Sequence, residues 1–310
     1  MRLSLIIPTY NGAHKVVHAL DSILIQERQP DEVIVVIDGS TDGTKERIQG
    51  YKEKIKNFKI IEQTNQGRAV VRNTGAKAAQ GELLFFLDDD MIMPCSCVAA
   101  HEAHHLKLPG TLVSGRLDQK LEHQDPTEFD VFETWQNTNW NKNLIASTQE
   151  EIPLSEPYIT ANNFSIARAD FMDLGMLDER LKDAEDYDLA VRAKAEGKVL
   201  YLSNNCWAWH NDFSAKNFKS YIKRMRQYNQ AQWALIQFKP EYYGNPQLNA
   251  RYPKKPKGLK ALFFNLFVGS FFINSMDKGF WRFLPIPLRC KLYDYIITAN
   301  GTYYPRVSIN

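Results

Sequence analysis

The chain has 310 residues, of which 44% are hydrophobic and 24% are charged, and its formal net charge is +2. These proportions are typical of a folded globular protein and exclude an intrinsically disordered chain. The broad excess of lysine and arginine that nucleic-acid binding needs is missing, so we expect no nucleic-acid partner. Four scattered cysteines predict no disulfide framework. No signal-peptide pattern precedes the first apolar run, which favours a reducing, cytoplasmic setting.

Short apolar runs alternate with helical patterns through the first hundred residues. The runs at 3–7, 33–37, 59–62 and 83–87 predict strands, and the patterns at 13–25, 44–55 and 68–79 predict helices. This alternation indicates an α/β fold with βαβ units and a mainly parallel central sheet flanked by helices. Polar clusters follow the first, second and fourth strands, at residues 8–12, 38–43 and 88–90. Because ligands bind beyond the carboxyl ends of parallel strands, these clusters predict one cleft.

The fourth strand ends in three consecutive carboxylates, Asp88, Asp89 and Asp90. Such dense negative charge repels itself unless a cation is near, and hard oxygen ligands at this spacing suit Mg²⁺ or Mn²⁺. The alternative is an Asp-rich turn or helix N-cap that binds nothing.

The rest of the chain is less periodic. Residues 115–157 form a polar stretch that we interpret as inserted loops or short helices. Strands are predicted at 158–160, 164–166 and 199–202, and helices at 186–196, 217–238 and 259–273. The last of these helices is too short to span a bilayer, but the basic stretch before it suits anionic headgroups. Two interpretations stay open for residues 251–276: peripheral contact with the inner face of the cell membrane, or packing as an ordinary buried element.

Five segments occur in an order that resembles one known family. They are Ile-Pro-Thr-Tyr-Asn-Gly at 7–12, Ile-Asp-Gly-Ser-Thr-Asp-Gly-Thr at 37–44, Asn-Gln-Gly at 65–67 with Val-Arg-Asn-Thr-Gly at 71–75, Leu-Asp-Asp-Asp at 87–90, and Ala-Glu-Asp-Tyr-Asp-Leu-Ala-Val-Arg at 184–192. Together they resemble the family 2 inverting glycosyltransferases, which have the GT-A fold, over roughly residues 3–212. The resemblance implies a catalytic domain at 1–215, with 115–157 on the acceptor side, and a mostly helical C-terminal extension at 216–310.

The resemblance implies a nucleotide-sugar donor. Pro8, Tyr10 and Asp38 match the positions that surround the base, and Asn11 is a further donor-binding position. A carboxylate accepts the imide N–H of uracil, which favours a UDP-sugar. The sequence departs from the family at Ile37, where a second acid is common. The remaining donor-binding positions implied by the family are Gly67, Arg72, Asn73, Asp88 and Asp89. Arg68, one helical turn before Arg72, is an alternative basic contact.

The resemblance also implies the catalytic groups. Asp88 and Asp90, with His210, match ligands of a Mn²⁺ or Mg²⁺ ion that bridges the two phosphates; imidazole favours Mn²⁺. Asp186 matches the general base that deprotonates the acceptor hydroxyl, with Glu185 in support. Asp89 is the extra acid of the triplet and serves only to solvate or cap in the alternative interpretation.

The acceptor implied is a hydroxyl of a glycan or of a lipid-linked molecule. Asn162 and Asn163 are candidates to hydrogen-bond sugar hydroxyls, and Trp135 and Trp209 are candidates to stack on a sugar face. The Gln-x-x-Arg-Trp motif of processive synthases is missing, so we expect non-processive transfer of single sugars.

Three other functions deserve comparison with this hypothesis. A nucleotidyltransferase that makes nucleotide sugars also uses a metal and an α/β sheet, but it usually has a Gly-rich basic loop where this chain has residues 8–12. A non-catalytic nucleotide-sugar-binding protein of the same fold is the second alternative. The His-Glu-Ala-His-His sequence at 101–105 matches a zinc-protease pattern, but no third ligand is evident downstream.

Overall fold

A computed structural model of the protein describes residues 1–119, 127–145, 149–211, 217–243 and 255–304. The chain divides into two units. The sheet unit comprises Met1–Lys120, Leu144–Phe213 and Glu241–Ala250. The helical unit comprises Leu121–Asn143, Ser214–Pro240 and Arg251–Asn310. The division into a catalytic domain at 1–215 and a helical extension at 216–310 stays a prediction.

The described residues form a nine-stranded mixed sheet with the order β3-β2-β1-β4-β8-β6-β9-β5, and β7 pairs with β9. The strands are β1 (Leu3–Thr9), β2 (Glu32–Asp38), β3 (Phe58–Gln63), β4 (Leu83–Leu87), β5 (Met91–Ile92), β6 (Leu112–Gln119), β7 (Glu151–Pro153), β8 (Asn163–Ala167) and β9 (Leu200–His210). The first four strands are parallel, whereas β8 is antiparallel to both β4 and β6. Parallel order therefore holds where βαβ units were predicted and gives way to mixed pairing beyond β4.

The helices are α1 (Val16–Leu24), α2 (Thr44–Ile48), α3 (Arg68–Ala78), α4 (Cys97–Lys107), α5 (Glu128–Ile145), α6 (Arg168–Asp173), α7 (Glu185–Ala195), α8 (Phe218–Phe238), α9 (Pro240–Tyr243), α10 (Gly258–Asn265), α11 (Ser270–Asp277) and α12 (Ile286–Ile297). A 3₁₀ turn at Gln49–Lys52 extends α2, and a π-helical turn at Thr298–Tyr303 follows α12.

The central strands are buried on both faces, which explains why they are continuous apolar runs in the sequence. Alternate residues of one strand belong to different cores: Ile6 and Phe86 pack on one face of the sheet, and Leu5 and Phe85 on the other. The helical unit has a third core, built around Phe129, Phe132, Phe218 and Tyr293. The α/β fold with flanking helices and helices at the C-terminus is confirmed.

Three predictions about secondary structure are wrong. Residues 115–157 are predicted to form loops or short helices, but they contain the 18-residue helix α5. The strand predicted at 158–160 is not formed: these residues have no regular secondary structure, and β8 begins only at Asn163. The predicted helix at 259–273 is two helices, α10 and α11: α10 ends at Asn265, and Gly269, with a φ of 106°, directly precedes α11. Among the described residues no single helix is long and apolar enough to span a membrane; α10 and α11 meet that requirement only together, with a bend of 51° between them.

Candidate active site

The loops that follow β1 and β2 are hydrogen-bonded to each other at the carboxyl edge of the sheet. The Asn11 N–H donates to Ser40 Oγ at 2.9 Å, and the Thr41 N–H donates to Asn11 Oδ1 at 2.9 Å. Asn11 has a φ of 47°, a left-handed conformation that asparagine tolerates better than most residues. Tyr10 is exposed beside it, whereas Pro8 is buried within β1. Tyr10 is therefore open to a ligand, and the predicted contact of Pro8 with a base stays a prediction.

Asp38, at the end of β2, holds the loop that precedes α3. Its Oδ1 accepts the Gln63 Nε2–H at 2.8 Å and the Gln66 N–H at 2.9 Å, and its Oδ2 accepts the Gly67 N–H at 2.9 Å. Gly67 needs to be glycine because its φ is 92°. Asp38 is thus buried and orders the segment 64–67, while a carboxylate with about four acceptor positions keeps one for a further donor.

Arg72, on α3, joins the end of β4 to the start of α7. Its Nη2 lies 2.5 Å from Asp88 Oδ1, and its Nη1 lies 3.3 Å from Glu185 Oε1. Burial acts to lower the pKa of the Arg72 guanidinium, but the charges of Asp88 and Glu185 outweigh it and the net shift is upward. A buried, permanently charged arginine therefore lies between two carboxylates of the predicted site.

Asn73, the neighbour of Arg72, has a different environment. It is fully buried, and its amide donates to the Leu177 carbonyl at 2.9 Å and to Glu179 Oε1 at 3.0 Å. Its Oδ1 accepts the Leu177 N–H at 3.1 Å. Asn73 thus attaches α3 to residues 177–179, and its side chain is not exposed to a ligand as the resemblance implied.

Asp89 is buried, whereas its two neighbours in the triplet are only partly buried. Its Oδ1 lies 2.8 Å from Lys15 Nζ, and its Oδ2 accepts the Thr9 hydroxyl at 2.6 Å. Burial raises the pKa of Asp89 to about 6, against the lowering effect of Lys15. Asp89 therefore braces β1 against β4, which fits the alternative interpretation better than direct contact with a nucleotide sugar.

Asp90 and His210 approach each other because β5 pairs with the end of β9, in the register Met91↔His210. His210 Nε2 lies 3.7 Å from Asp90 Oδ1, and Lys15 Nζ lies 3.7 Å from Asp90 Oδ2. Two atoms this close fit one divalent ion, because the distance is less than twice a metal–ligand bond of about 2.1 Å. Within the ranges that the structure describes, no group of three His, Cys, Asp or Glu side chains is arranged to hold a metal. The donor set fits an ion that is bound jointly with substrate phosphates.

Glu185 and Asp186 begin α7, directly after Ala184, which has a left-handed φ of 60°. Asp186 Oδ1 accepts the Tyr187 N–H at 2.7 Å, and Oδ2 accepts the Ala161 N–H at 3.2 Å. Burial raises the pKa of Asp186, and the two backbone donors oppose this shift. Burial likewise raises the pKa of Glu185 against the effect of Arg72. Asp186 is thus a carboxylate of fixed orientation and increased basicity.

Residues 160–162 are hydrogen-bonded to both Asp88 and Asp186. The Asp88 N–H donates to the Asn162 carbonyl at 3.0 Å, next to the Ala161 N–H that binds Asp186. Asn162 Oδ1 and Thr160 Oγ1 are both buried, and neither has a hydrogen-bond partner in the described part of the chain. Asn162 Oδ1 can therefore accept a hydrogen bond from a ligand, and the Thr160 hydroxyl can donate or accept one.

The other acceptor candidates, Asn163, Trp209 and Trp135, have different environments. Asn163 is fully buried; its amide donates to the Cys206 carbonyl at 2.8 Å, and its Oδ1 is 3.0 Å from His101 Nε2. It is a core residue whose amide is already hydrogen-bonded, and its acceptor role stays a prediction. Trp209 lies on β9 and packs edge-on against Trp207, with ring centroids 4.4 Å apart. Trp135 belongs to the helical unit, where it stacks on Phe132; its acceptor role stays a prediction.

The histidines at 101–105 form a buried structural network. His101 Nδ1 and His105 Nε2 both lie 2.8 Å from Ser165 Oγ, and His104 lies 2.8 Å from Glu151 Oε2. Burial lowers the pKa values of His101 and His105 to about 3. All three rings therefore have hydrogen-bond partners on neighbouring strands.

Sequence reasoning missed Lys15 and Thr9, which hold Asp89. A single lysine in the turn before a helix carries no recognisable signal, because its partners lie on β4, far along the chain. Thr9 lies inside the first motif. Alternation along a strand predicts that its side chain points to the face opposite Pro8, but it does not predict Asp89 as its partner.

Comparisons with known proteins agree with this geometry. The family model described as glycosyl transferase family 2 matches residues 4–171, more than half of the chain. A putative glycosyltransferase EpsH of Bacillus subtilis (strain 168) is 38% identical over 96 residues, which cover 31% of this chain and 28% of EpsH. In each of the first two curated relatives, the stretch that matches this chain covers less than a third of the relative's own length.

Two solved structures share the fold. One is the mannosyltransferase PcManGT from Pyrobaculum calidifontis in complex with GDP-Man and Mn²⁺, at 20% identity and a TM-score of 0.62, covering 96% of this chain and 85% of that one. The other is S. aureus TarS 1–349 in complex with UDP, at 18% identity and a TM-score of 0.54, covering 100% of this chain and 93% of that one. The strand-end acids, the sheet order and the extent of the family match agree: the chain belongs to glycosyl transferase family 2, with a GT-A type fold.

Proposed function

We propose that this glycosyltransferase moves one sugar from a UDP-sugar to an acceptor hydroxyl, with inversion at the anomeric carbon and with the help of a divalent cation. The observation that carries the proposal is the arrangement around Arg72, which holds Asp88 and Glu185 and so keeps the diphosphate end of the site next to Asp186. Donor-side and acceptor-side groups are thereby held in one fixed arrangement, which is how positioning lowers a reaction barrier.

Asp38 and Tyr10 bind the nucleoside in this proposal. Three of the roughly four acceptor positions of the Asp38 carboxylate are used by Gln63, Gln66 and Gly67. One further donor matches the single imide N–H of uracil, whereas guanine presents two adjacent donors to a carboxylate. The exposed Tyr10 ring offers a surface on which a base can stack.

Asp90 and His210 would hold Mn²⁺ or Mg²⁺ together with the diphosphate, and Asp88 would reach the ribose or a metal-bound water. When bound, the cation neutralises the negative charge that grows on the departing UDP. Asp88 keeps its orientation through Arg72, and Asp90 through the strand pairing that brings His210 to it. Lys15, shared between Asp89 and Asp90, lowers the repulsion within the triplet.

Asp186 removes the proton from the acceptor hydroxyl as that oxygen attacks the anomeric carbon from the face opposite the diphosphate. Its two backbone donors fix the carboxylate, and burial raises its pKa, which makes it a better base than an exposed aspartate. Asn162 and Thr160 supply buried polar atoms beside it for the hydroxyls of a glycan or lipid-linked acceptor. Trp209 is the candidate for stacking on an acceptor ring.

The test is a panel of UDP- and GDP-sugars with Mn²⁺, with Mg²⁺ and with chelator, scored for nucleotide diphosphate release and for the anomeric configuration of the product. We expect metal-dependent UDP release and an inverted linkage. Pyrophosphate release from UTP and a sugar phosphate would instead identify a nucleotidyltransferase, and UDP binding without turnover on any donor would identify a non-catalytic binding protein.

A further inference from the structure

The helical unit presents an apolar surface where a helix of a globular protein normally presents polar residues. Leu259 and Leu262 on α10 and its C-cap residue Leu266 are 86%, 64% and 63% exposed, whereas Phe264 on the opposite face is 9% exposed. Spacings of three and four residues place the three leucines on one face of the helix. The solvent-facing side of α10 is therefore its apolar side, the reverse of an ordinary amphipathic surface helix.

The apolar surface continues beyond α10. Phe271, Phe280 and Phe283 are each about three-quarters exposed. They line a cavity of about 440 Å³ together with Trp281, Lys278, Asn274 and Ser275. Ring contacts run without a break from Phe263 through Phe267, Phe272 and Trp281 to Phe283, with centroids 5.1 to 6.1 Å apart. We call the group Leu259, Leu262, Leu266, Phe271, Phe280 and Phe283 the apolar patch; contiguous patches of this kind mark binding surfaces.

Positive charge accompanies the patch. Residues 255–304 contain seven lysines and arginines but only two acids, Asp277 and Asp294. Asp277 caps α8 by accepting the Phe218 N–H at 2.8 Å, and Asp294 is half-buried. The exposed Lys255, Lys257 and Lys278 form no ion pair within the described residues. Exposed leucine and phenylalanine side chains with lysines beside them match a surface of acyl chains covered by anionic headgroups.

We propose that the apolar patch docks on a membrane surface that contains anionic lipid, with the cavity beside Lys278 at the lipid boundary. The helices lie on the bilayer and do not cross it, because α10 and α11 are each only eight residues long. Charge argues against a second copy of the chain as the occupant, since a symmetric contact would bring the same lysines against each other. This docking is independent of the sugar-transfer chemistry.

The experiment is flotation of the full chain with vesicles of phosphatidylcholine alone and of phosphatidylcholine with phosphatidylglycerol, with solution mass measured by light scattering. We expect binding only to the anionic vesicles. Leu262→Glu with Leu266→Glu should reduce that binding at least about tenfold, and Lys257→Glu or Lys278→Glu about fivefold each. The control Leu106→Glu, a similarly exposed leucine of the sheet unit, and Lys52→Glu should leave binding unchanged.

Each other outcome would overturn the proposal. Equal binding to both vesicle types would contradict the requirement for anionic lipid. Binding that the patch variants do not change would show that the apolar patch is not the binding surface. Absence of vesicle binding combined with a dimer that Leu266→Glu dissociates would make the patch a self-association surface. Absence of both would mean that the patch does not bind lipid. Because all substituted side chains are exposed, circular dichroism should show a normal fold, and Phe283→Ser provides a second, uncharged test.

Discussion

Arg72 Nη2 lies 2.5 Å from Asp88 Oδ1, so a buried guanidinium on α3 fixes the first acid of the strand-end triplet. The same guanidinium reaches Glu185 at the start of α7. Because Arg72 is buried and remains charged, each partner loses its compensation when the arginine is removed. The two ion pairs thus link α3 to the end of β4 and to the start of α7, and in the proposed function they hold the donor side of the site.

Arg72→Met should destabilise the protein by about 3 kcal/mol, because it leaves the buried Glu185 carboxylate without its cation. It should also abolish UDP binding. The matched control is Arg68→Met on the same helix: its half-exposed side chain pairs with Asp183 at 3.2 Å and should cost less than about 1 kcal/mol. Urea unfolding measures both free energies, and equal losses would contradict the distinction between the two arginines.

His210→Gln should weaken Mn²⁺ binding in the presence of UDP by at least about tenfold and Mg²⁺ binding much less, because imidazole is a better ligand for Mn²⁺. Titration calorimetry with each metal measures the two affinities. His14→Gln, an exposed residue at the start of the α1 region, is the control and should change neither. An unchanged Mn²⁺ affinity in His210→Gln would remove His210 from the ligand set.

Gly115→Ala should be one of the most damaging single-methyl additions in the sheet. A Cβ at this position would lie 1.6 Å from the Cys206 carbonyl oxygen and 2.2 Å from Asn163 Nδ2, where β6 shifts register against β9. Overpacking of this kind against backbone costs about 3 kcal/mol or more. Gly50→Ala, with open space around the new Cβ, is the control. Thermal unfolding should separate the two variants by many degrees, and similar melting temperatures would count against the β6–β9 packing.

The buried histidines should make stability depend on pH. Burial lowers the pKa of His105 from 6.5 to about 3, so between these values the unfolded chain binds a proton that the native ring does not. Stability is therefore complete above pH 6.5 and falls as the pH decreases towards 3, by about 1.4 kcal/mol per pH unit for each such histidine.

In urea unfolding at pH 4 to 6, the free energy of unfolding of His105→Gln should change less steeply with pH, by about 1.4 kcal/mol per pH unit. This difference is expected whatever the effect of the substitution on absolute stability. Chelator should alter neither the parent protein nor the variant, because the ring partners are Ser165, Asn163 and Glu151. An unaltered slope in His105→Gln would show that this ring titrates normally.

The sequence was sufficient for the fold where local pattern and burial agree. Strands such as β1 and β4 are buried on both faces and so are continuous apolar runs, and the acids after them follow from the parallel order. Helix α5 went unpredicted because the sequence over Glu128–Ile145 lacks a regular apolar stripe. The break between Asn265 and Ser270 is not predicted because the apolar residues on both sides continue the helical spacing.

The site shows the same limit at the level of single residues. Asn162 and Asn163 are adjacent and identical, and only the start of β8 at Asn163 decides which of them points into the core. Asp88, Asp89 and Asp90 likewise differ by partners on distant segments: Arg72 for the first, Lys15 and Thr9 for the second. Sequence indicates the chemistry of such a cluster, whereas tertiary pairing decides which member does what.

The measurement that tests the central claim most directly is UDP binding and sugar transfer by Asp186→Asn beside the parent protein and Asp183→Asn. An amide keeps the shape of Asp186 but cannot accept the acceptor proton. We expect Asp186→Asn to bind UDP with unchanged affinity and to lose at least about a hundredfold in transfer rate. Asp183→Asn, three residues earlier, should keep its activity. Full transfer activity in Asp186→Asn would contradict the assignment of this residue as the catalytic base.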